Sequence, residues 1–300
     1  IYLTYEDIEV SGFPYRLIVS FKNPKITLRE VFIDFNWNGG KLSVYFQPWN
    51  LTHMIFSGLG GIAHFGKNLK IKNQKTISPE SFRASFITAL GAEQRMSLEI
   101  LNTIYQNGNP DSPSLNFEKV YLHGKLSNGQ DKARLDLFEP KIGDLLFKIE
   151  GMSRVGEIPK IIKNNLNISF SPRGKNIPKL TSLGLSLWRD QGSTIDINTF
   201  SMNWNGGQIT GNGSLTLDGK LRPLGVLSGK YLNPNKIMEL LSLTGFITNH
   251  EIGSITIGLQ TMSSLFEGNT NESTPYSISA QEGGLWLGAL KFKTIKSVIN

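Results

Sequence analysis

Four times along this chain an Asn-Gly or Asp-Gly pair separates two runs in which apolar and polar residues alternate. Both residue pairs accept the positive φ angles that tight two-residue turns demand, so this pattern is the strongest short-range hairpin signal a sequence offers. Val31–Trp37 faces Lys41–Phe46 across Asn38-Gly39-Gly40, and Phe117–Ser127 faces Lys132–Phe138 across Asn128-Gly129. Thr199–Trp204 faces Gln208–Ser214 across Asn205-Gly206, and Ser214–Leu217 faces Lys220–Leu227 across Asp218-Gly219. Successive hairpins pair neighbouring strands antiparallel, and clean alternation buries one face only.

The expected fold is therefore mainly β, or β-rich α+β. It is a twisted antiparallel sheet of successive hairpins, able to form a groove, with one or two short helices. One helix is well marked at 234–244: Asn233 stands at the N-cap, Pro234 at the first turn, and Gly245 just beyond the end. Ile237, Met238, Leu240 and Leu241 give it an apolar stripe. Asp144–Glu150 and Pro159–Asn164 are candidates for short helices. Ser78–Gln106 satisfies two patterns, a helix with Phe82, Phe86 and Leu90 four apart, and a long hairpin turning near Gly91. The surrounding strands favour the hairpin.

Loop composition at Asn107–Ser114, Ser171–Pro178 and Glu267–Pro275 divides the chain. The middle loop separates an N-terminal β half, 1–170, from a C-terminal β half, 179–300, unless the two form one continuous domain. Asn36-Trp37-Asn38-Gly39-Gly40 recurs letter for letter at Asn203–Gly207. Either the halves are related repeats or one hairpin solution arose twice.

Composition excludes whole classes. With 39% hydrophobic and 18% charged residues in 300, the chain is neither disordered nor a coiled coil. A net charge of +7 is too mild for a dedicated nucleic-acid binder. The absence of cysteine removes disulfides, thiolate metal sites and thiol nucleophiles together. No apolar run is long enough to cross a bilayer as a helix. The chain opens at Ile1, directly in strand-like sequence. That leads us to expect a segment removed upstream: a signal peptide, a membrane anchor, or the cut that made the fragment.

No motif carries chemistry. Asp34–Gly39 copies the first half of an EF-hand loop, but Tyr45 stands where the bidentate Glu belongs, so a hairpin is the better reading. Gly58–Ala63 imitates a dinucleotide fingerprint without the helix that would meet a pyrophosphate. His53, His64, His123 and His250 lack metal-ligand spacing. Lys67, Lys70, Lys72 and Lys75 form one basic run and Lys291, Lys293 and Lys296 another. The first lacks interleaved aromatics for base stacking and reads as the solvated face of a strand, with some attraction to anionic headgroups. The sequence thus names no catalytic, cofactor or metal residue, and no cofactor or nucleic acid is expected.

Ile8-Glu9-Val10-Ser11-Gly12-Phe13-Pro14-Tyr15-Arg16 resembles the opening of an uncharacterised family of alphaproteobacterial cell-envelope proteins, in which a Gly-Phe-Pro-aromatic-Arg motif follows the first strand. Gln47-Pro48-Trp49-Asn50 with His53 is a second match. A third is Trp188–Ser193 leading into Phe200–Trp204, where this chain has Trp204-Asn205-Gly206 in place of Trp-Gly. Gly211, Gly213, Leu215, Leu217 and Asp218, then a helix and Gly245, make a fourth, and Gly283–Gly288 a fifth. The 199–245 pattern also looks like the C-terminal module of AsmA-like envelope proteins, elongated β proteins thought to shelter acyl chains. The resemblance implies a body in the periplasm, anchored in the inner membrane by an N-terminal helix.

The residues expected to matter, structurally or in interactions, are Gly12, Phe13, Pro14, Arg16, Pro48, Trp49, Asn50, His53, Trp188, Trp204 and Gly288. The leading expectation is a non-enzymatic envelope protein that binds phospholipid, another envelope lipid or an envelope protein along a β-sheet groove. The alternatives are a scaffolding module without a small ligand and a glycan or lipid hydrolase. The hydrolase would have to recruit Asp34, Asp190, Asp196 or the histidines.

Overall fold

The computed structural model describes residues 2–29, 34–66, 74–88, 93–108, 113–126, 141–157, 164–175, 177–179, 181–265 and 273–299. The chain is mainly β: nineteen strands and three helices lie among these residues, and every recorded strand pairing is antiparallel. It divides into two compact units, Ile1–Gln130 with Leu145–Pro159, and Asp131–Asp144 with Lys160–Asn300.

In the first unit the strands are β1 (Tyr2–Thr4), β2 (Asp7–Ser11), β3 (Leu17–Lys22), β4 (Lys25–Arg29), β5 (Asp34–Asn38) and β6 (Lys41–Gln47). They are followed by β7 (Asn50–Leu59), β8 (Ile62–Gly66), β9 (Lys75–Ile87), β10 (Gln94–Gln106) and β11 (Leu115–Leu126). Partner numbering runs on unbroken from one short strand into the next. β9 pairs with β7 from Ile87 to Ser81 and with β8 from Ile77 to Lys75, in a single register. β6 and β5 continue each other in the same way against β7 and β8, and β3 and β4 against β6 and β5. The sheet is therefore an up-and-down meander of long strands, four of them split once at the same level, where the continuous β9 and β10 also skip one pair.

This arrangement corrects the first expected hairpin. Asn38-Gly39-Gly40 does not reverse the chain; β5 and β6 are collinear and pair with other strands. The interruptions form a belt across the sheet: Tyr5-Glu6, Asn23-Pro24, Gly39-Gly40, Gly60-Gly61, Glu80 and Asn102. Asn23, Gly60, Gly61 and Asn102 have positive φ. The belt has its own hydrogen bonds. Asn23 Nδ2 donates to Glu6 Oε2 (2.7 Å), Asn102 Nδ2 to Glu80 Oε2, Asn23 N–H to the Gly40 carbonyl (3.1 Å) and Gly60 N–H to the Glu80 carbonyl (2.7 Å).

A break of this kind moves the alternation by one residue, as a bulge does. On β6 the apolar positions are Leu42, Val44 and Phe46; on β5 they are Phe35 and Trp37. Both sets still share one side, because Trp37, Leu42 and Ala63 form one cluster with Phe21, Ile26, Ile77 and Phe82. Trp37 meets Phe82 edge-on at 5.4 Å.

β12 (Gly143–Arg154) overturns the short helix expected at Asp144–Glu150. Apart from Leu146, apolar Leu145, Phe147 and Ile149 alternate with polar Asp144, Lys148 and Glu150, and the period of two prevails over helical spacing. The second unit is a meander of β13 (Asn164–Arg173), β14 (Thr194–Trp204), β15 (Gly207–Leu217), β16 (Pro223–Leu232), β17 (Thr274–Gln281), β18 (Gly284–Leu287) and β19 (Leu290–Thr294). The Asn205-Gly206 hairpin and the Ser78–Gln106 strand pair are as expected, the latter as β9 and β10. The Asp218-Gly219 turn runs longer than two residues, to Arg222, because Asp218 Oδ1 accepts the N–H groups of Lys220 and Arg222. The Asn128-Gly129 hairpin and the helix proposed before Asn164 lie outside the described residues.

α2 (Pro234–Leu243) is the helix read from sequence. Asn233 does not cap it by side chain; it adopts positive φ, and its Nδ2 donates to the Gly206 carbonyl. α1 (Ser182–Asp190) and α3 (Asn249–Leu265) were not foreseen. α3 starts with a capping box: Glu251 Oε2 accepts the Thr248 N–H at 2.7 Å and Glu251 N–H donates to Thr248 Oγ1. Helix residues Ile255 and Leu259 close the core over Tyr231, Tyr276 and Leu287.

Three outcomes follow. Gly60→Ala should cost about 1 kcal/mol in urea unfolding, since nothing obstructs a Cβ there and only left-handed strain is added. Gly61→Ala should cost about 3 kcal/mol, because its Cβ would fall 2.5 Å from the Asn38 carbonyl oxygen and 2.7 Å from Trp37 Nε1. The Glu251 carboxyl is held below its ordinary value: burial opposes its charge, but the Thr248 N–H, Lys293 and the Thr248 hydroxyl outweigh it. Its contribution is present above the unfolded pKa near 4.5 and lost as pH falls through the lower folded value. Glu251→Gln should thus be about 1 kcal/mol less stable than wild type at pH 7 in thermal unfolding, with the gap closing as pH falls below the unfolded value.

Candidate functional site

Register assigns each residue of the first sheet to a face, because directly paired residues point the same way. One row across seven strands reads Val10, Val19, Val44, Phe56, Ala84, Leu98 and Leu122. The row two residues further along is Ile8, Phe21, Leu42, Gly58, Phe82, Ile100 and Val120. On the other side of the first row lie Leu17, Phe46, Met54, Phe86, Met96 and Gly124. No polar side chain enters these three rows. The interleaved positions belong to the opposite face, where one row reads Glu9, Ser20, Ser43, Ser57, Arg83, Glu99 and Tyr121.

Beyond the belt the apolar side goes on with Leu3, Ile26, Trp37, Ala63, Ile77, Tyr105 and Leu115. Aromatic pairs join its strands: Phe56 with Phe86 at 5.7 Å, Phe65 with Tyr105 at 6.4 Å and Tyr105 with Phe117 at 6.1 Å. Burial raises the Tyr105 hydroxyl pKa. Most side chains of the three rows are half-buried, while Ile8, Val10 and Phe86 are exposed. The first unit holds no helix among its described residues, in contrast to the second, where α2 and α3 cover the apolar side of the meander.

The first two sequence motifs meet at one end of this sheet. β3 pairs with β6 so that Leu17 lies opposite Phe46, which puts the β2–β3 and β6–β7 turns side by side. In the first turn Gly12 has φ +87°, the Phe13–Pro14 peptide is cis, and the Arg16 N–H donates to the Gly12 carbonyl. A Cβ on Gly12 would lie 2.9 Å from the Arg16 carbonyl oxygen, so glycine is required there. Pro48 and Trp49 make the second turn, followed by Asn50, whose Oδ1 accepts the Thr52 hydroxyl. Behind the turns, on the polar face, an open hollow of about 400 Å³ is lined by Arg16, Tyr45, Gln47, His53, Ser57 and Arg83 among others. His53 Nε2 lies 2.9 Å from Ser85 Oγ. The Arg16 and Arg83 side chains have no hydrogen bond or ion pair among the described residues. Arg83, Tyr45 and Ser57 escaped the sequence reading, because only the register brings β6, β7 and β9 together here.

The other expected residues lie in the second unit and serve packing. Trp188 and Trp204 are buried, and Gly288 takes positive φ in the turn between β18 and β19. Two of the three carboxylates named for hydrolysis are held in ion pairs, Asp190 with Arg189 and Asp196 with Arg173, and Asp34 lies on β5 in the first unit. No group of three metal-ligating side chains occurs among the described residues. Lys293 is tied to Glu251 and the Phe246 carbonyl, which makes part of the second basic run structural. Lys67, Lys70 and Lys72 lie outside the described residues.

Residues 2–294 match the family described as an uncharacterized protein conserved in bacteria, DUF2125. The chain belongs to this family. The matched residues include those of both units. No curated protein and no solved structure matches the chain.

Arg16→Gln and Arg83→Gln should each change unfolding free energy by less than about 0.5 kcal/mol, since both side chains are exposed and unpaired. Phe82→Ala should cost about 3 kcal/mol by removing the ring that packs on Trp37 and covers Gly58. Chemical denaturation of the three variants measures the contrast.

Proposed function

We propose that this chain is a non-enzymatic lipid-binding protein of the bacterial cell envelope, with its body in the periplasm, and that lipid acyl chains lie along the apolar face of the N-terminal sheet. The observation that carries the reading is the unbroken apolar row from Val10 to Leu122. Six strand spacings of about 4.8 Å make it about 29 Å long. One leaflet of a bilayer has a hydrocarbon depth of about 15 Å, so a full acyl chain fits along such a row. Removing that chain and the facing side chains from water supplies the driving force.

The mixture of flat aromatic rings with Met54 and Met96 suits a ligand of variable length and unsaturation, since methionine adapts its shape to irregular partners. Membership of a family conserved in bacteria is compatible with this reading.

Native mass spectrometry of the protein, produced in a bacterial periplasm and purified without detergent, tests it. The expected spectrum carries adducts of phospholipid mass that organic extraction removes. Val44→Asp with Leu98→Asp should lower lipid occupancy about tenfold, whereas Ser97→Asp on the opposite face should leave it unchanged. Equal occupancy in all three proteins, or a bare wild-type mass even after incubation with phospholipid, would overturn the proposal.

A further inference from the structure

The two turns at the end of the N-terminal sheet expose side chains that sheet packing does not need. Phe13 is 82% exposed, Tyr15 80%, Trp49 65% and Leu51 65%. Phe13, Tyr15 and Trp49 on the adjacent turns, with Leu51 at the start of β7, form a tip with a high desolvation gain. Tryptophan and tyrosine favour the boundary between headgroups and hydrocarbon, where the ring is shielded and the polar atom stays wet.

Directly behind the tip, the 400 Å³ hollow presents Arg16 from one turn and Arg83 from β9, with His53, Tyr45, Gln47 and Ser57 around them. Neither guanidinium has a hydrogen bond or ion pair among the described residues. Glu99 is the cross-strand neighbour of Arg83, yet no bond joins the two. A planar guanidinium presents paired donors that match phosphate oxygens, and imidazole, phenol, amide and hydroxyl groups add further donors. Aromatic side chains in front and unpaired cations behind match the layers of a membrane surface: hydrocarbon boundary first, phosphate plane next.

We propose that this end of the sheet docks on an anionic phospholipid bilayer, with Phe13, Tyr15, Trp49 and Leu51 entering the interface while Arg16 and Arg83 hold lipid phosphates at the hollow. The proposal rests on the lipid-binding reading and adds to it the end of the sheet that meets the membrane. Docking there places the bilayer next to Leu17, Phe46 and Met54, where the apolar rows end.

The test is co-flotation of the purified 300-residue chain with vesicles of phosphatidylglycerol and phosphatidylcholine, alongside the lipid content of each protein. Wild type should float with phosphatidylglycerol-rich vesicles and lose binding as salt rises. Arg16→Gln and Arg83→Gln should each weaken binding about fivefold. Phe13→Ser with Trp49→Ser should abolish flotation without reducing co-purified lipid. Vesicle binding should also shift Trp emission to shorter wavelength in wild type and not in Trp49→Phe.

Flotation that is equal in wild type and the Phe13→Ser, Trp49→Ser protein would overturn docking at this end. So would a wild-type protein that ignores vesicles while inorganic phosphate protects the hollow from arginine-specific modification; the hollow would then be a site for soluble phosphate. Either result leaves the acyl-chain reading standing if lipid still co-purifies. Docking with no co-purified lipid would sink the acyl-chain reading instead.

Discussion

The N-terminal sheet depends on a single constraint: every long strand must shift its alternation by one residue at the same level. A side-chain period of two admits no partial correction, so a break in one strand alone would turn that strand's apolar residues to the polar face. The belt solves this collectively. Gly39-Gly40 and Gly60-Gly61 absorb the break in two strands, and Asn23 and Asn102 do so in two others through positive φ. Glu6 and Glu80 hold the asparagine side chains. Trp37 and Phe82 then lock the apolar residues of the two levels together.

Much of the fold was legible because alternation and turn chemistry are local. The β9–β10 pair, the Asn205-Gly206 hairpin, and α2 with its Pro234 start and Gly245 stop follow from residues that touch in sequence. The limits are seen in one pentapeptide. Asn-Trp-Asn-Gly-Gly reverses the chain at 203–207, where Asn205 and Gly206 both take positive φ and Trp204 pairs with Gly207. At 36–40 the same letters continue a strand, because β4 and β8 flank β5 while β3 and β7 flank β6. Local preference permits both outcomes, and the long-range pairings choose. α3 was missed although its Thr248–Glu251 capping box is present in the sequence, because its apolar stripe is diluted by Gly253, Ser254 and Gly258.

The candidate site was legible in parts. The two turn motifs singled out Gly12, Phe13, Pro14, Arg16, Trp49 and His53, which the register places at one end of one sheet. Arg83 lies far off in sequence, and its partnership with Arg16 across the hollow rests on three intervening strand pairings. The apolar face was visible only as separate alternating runs. Its continuity over seven strands is a property of register, and a one-residue slip anywhere would have broken it.

The most direct test of the account is to place a photo-crosslinking amino acid at Leu98 and, separately, at Ser97, and to irradiate the protein in living bacteria. The two positions are neighbours in sequence and share a strand, but they belong to opposite faces of the sheet. The account predicts lipid-mass crosslinks at 98 and none at 97. Equal labelling at both positions, or protein crosslinks alone at 98, would contradict it.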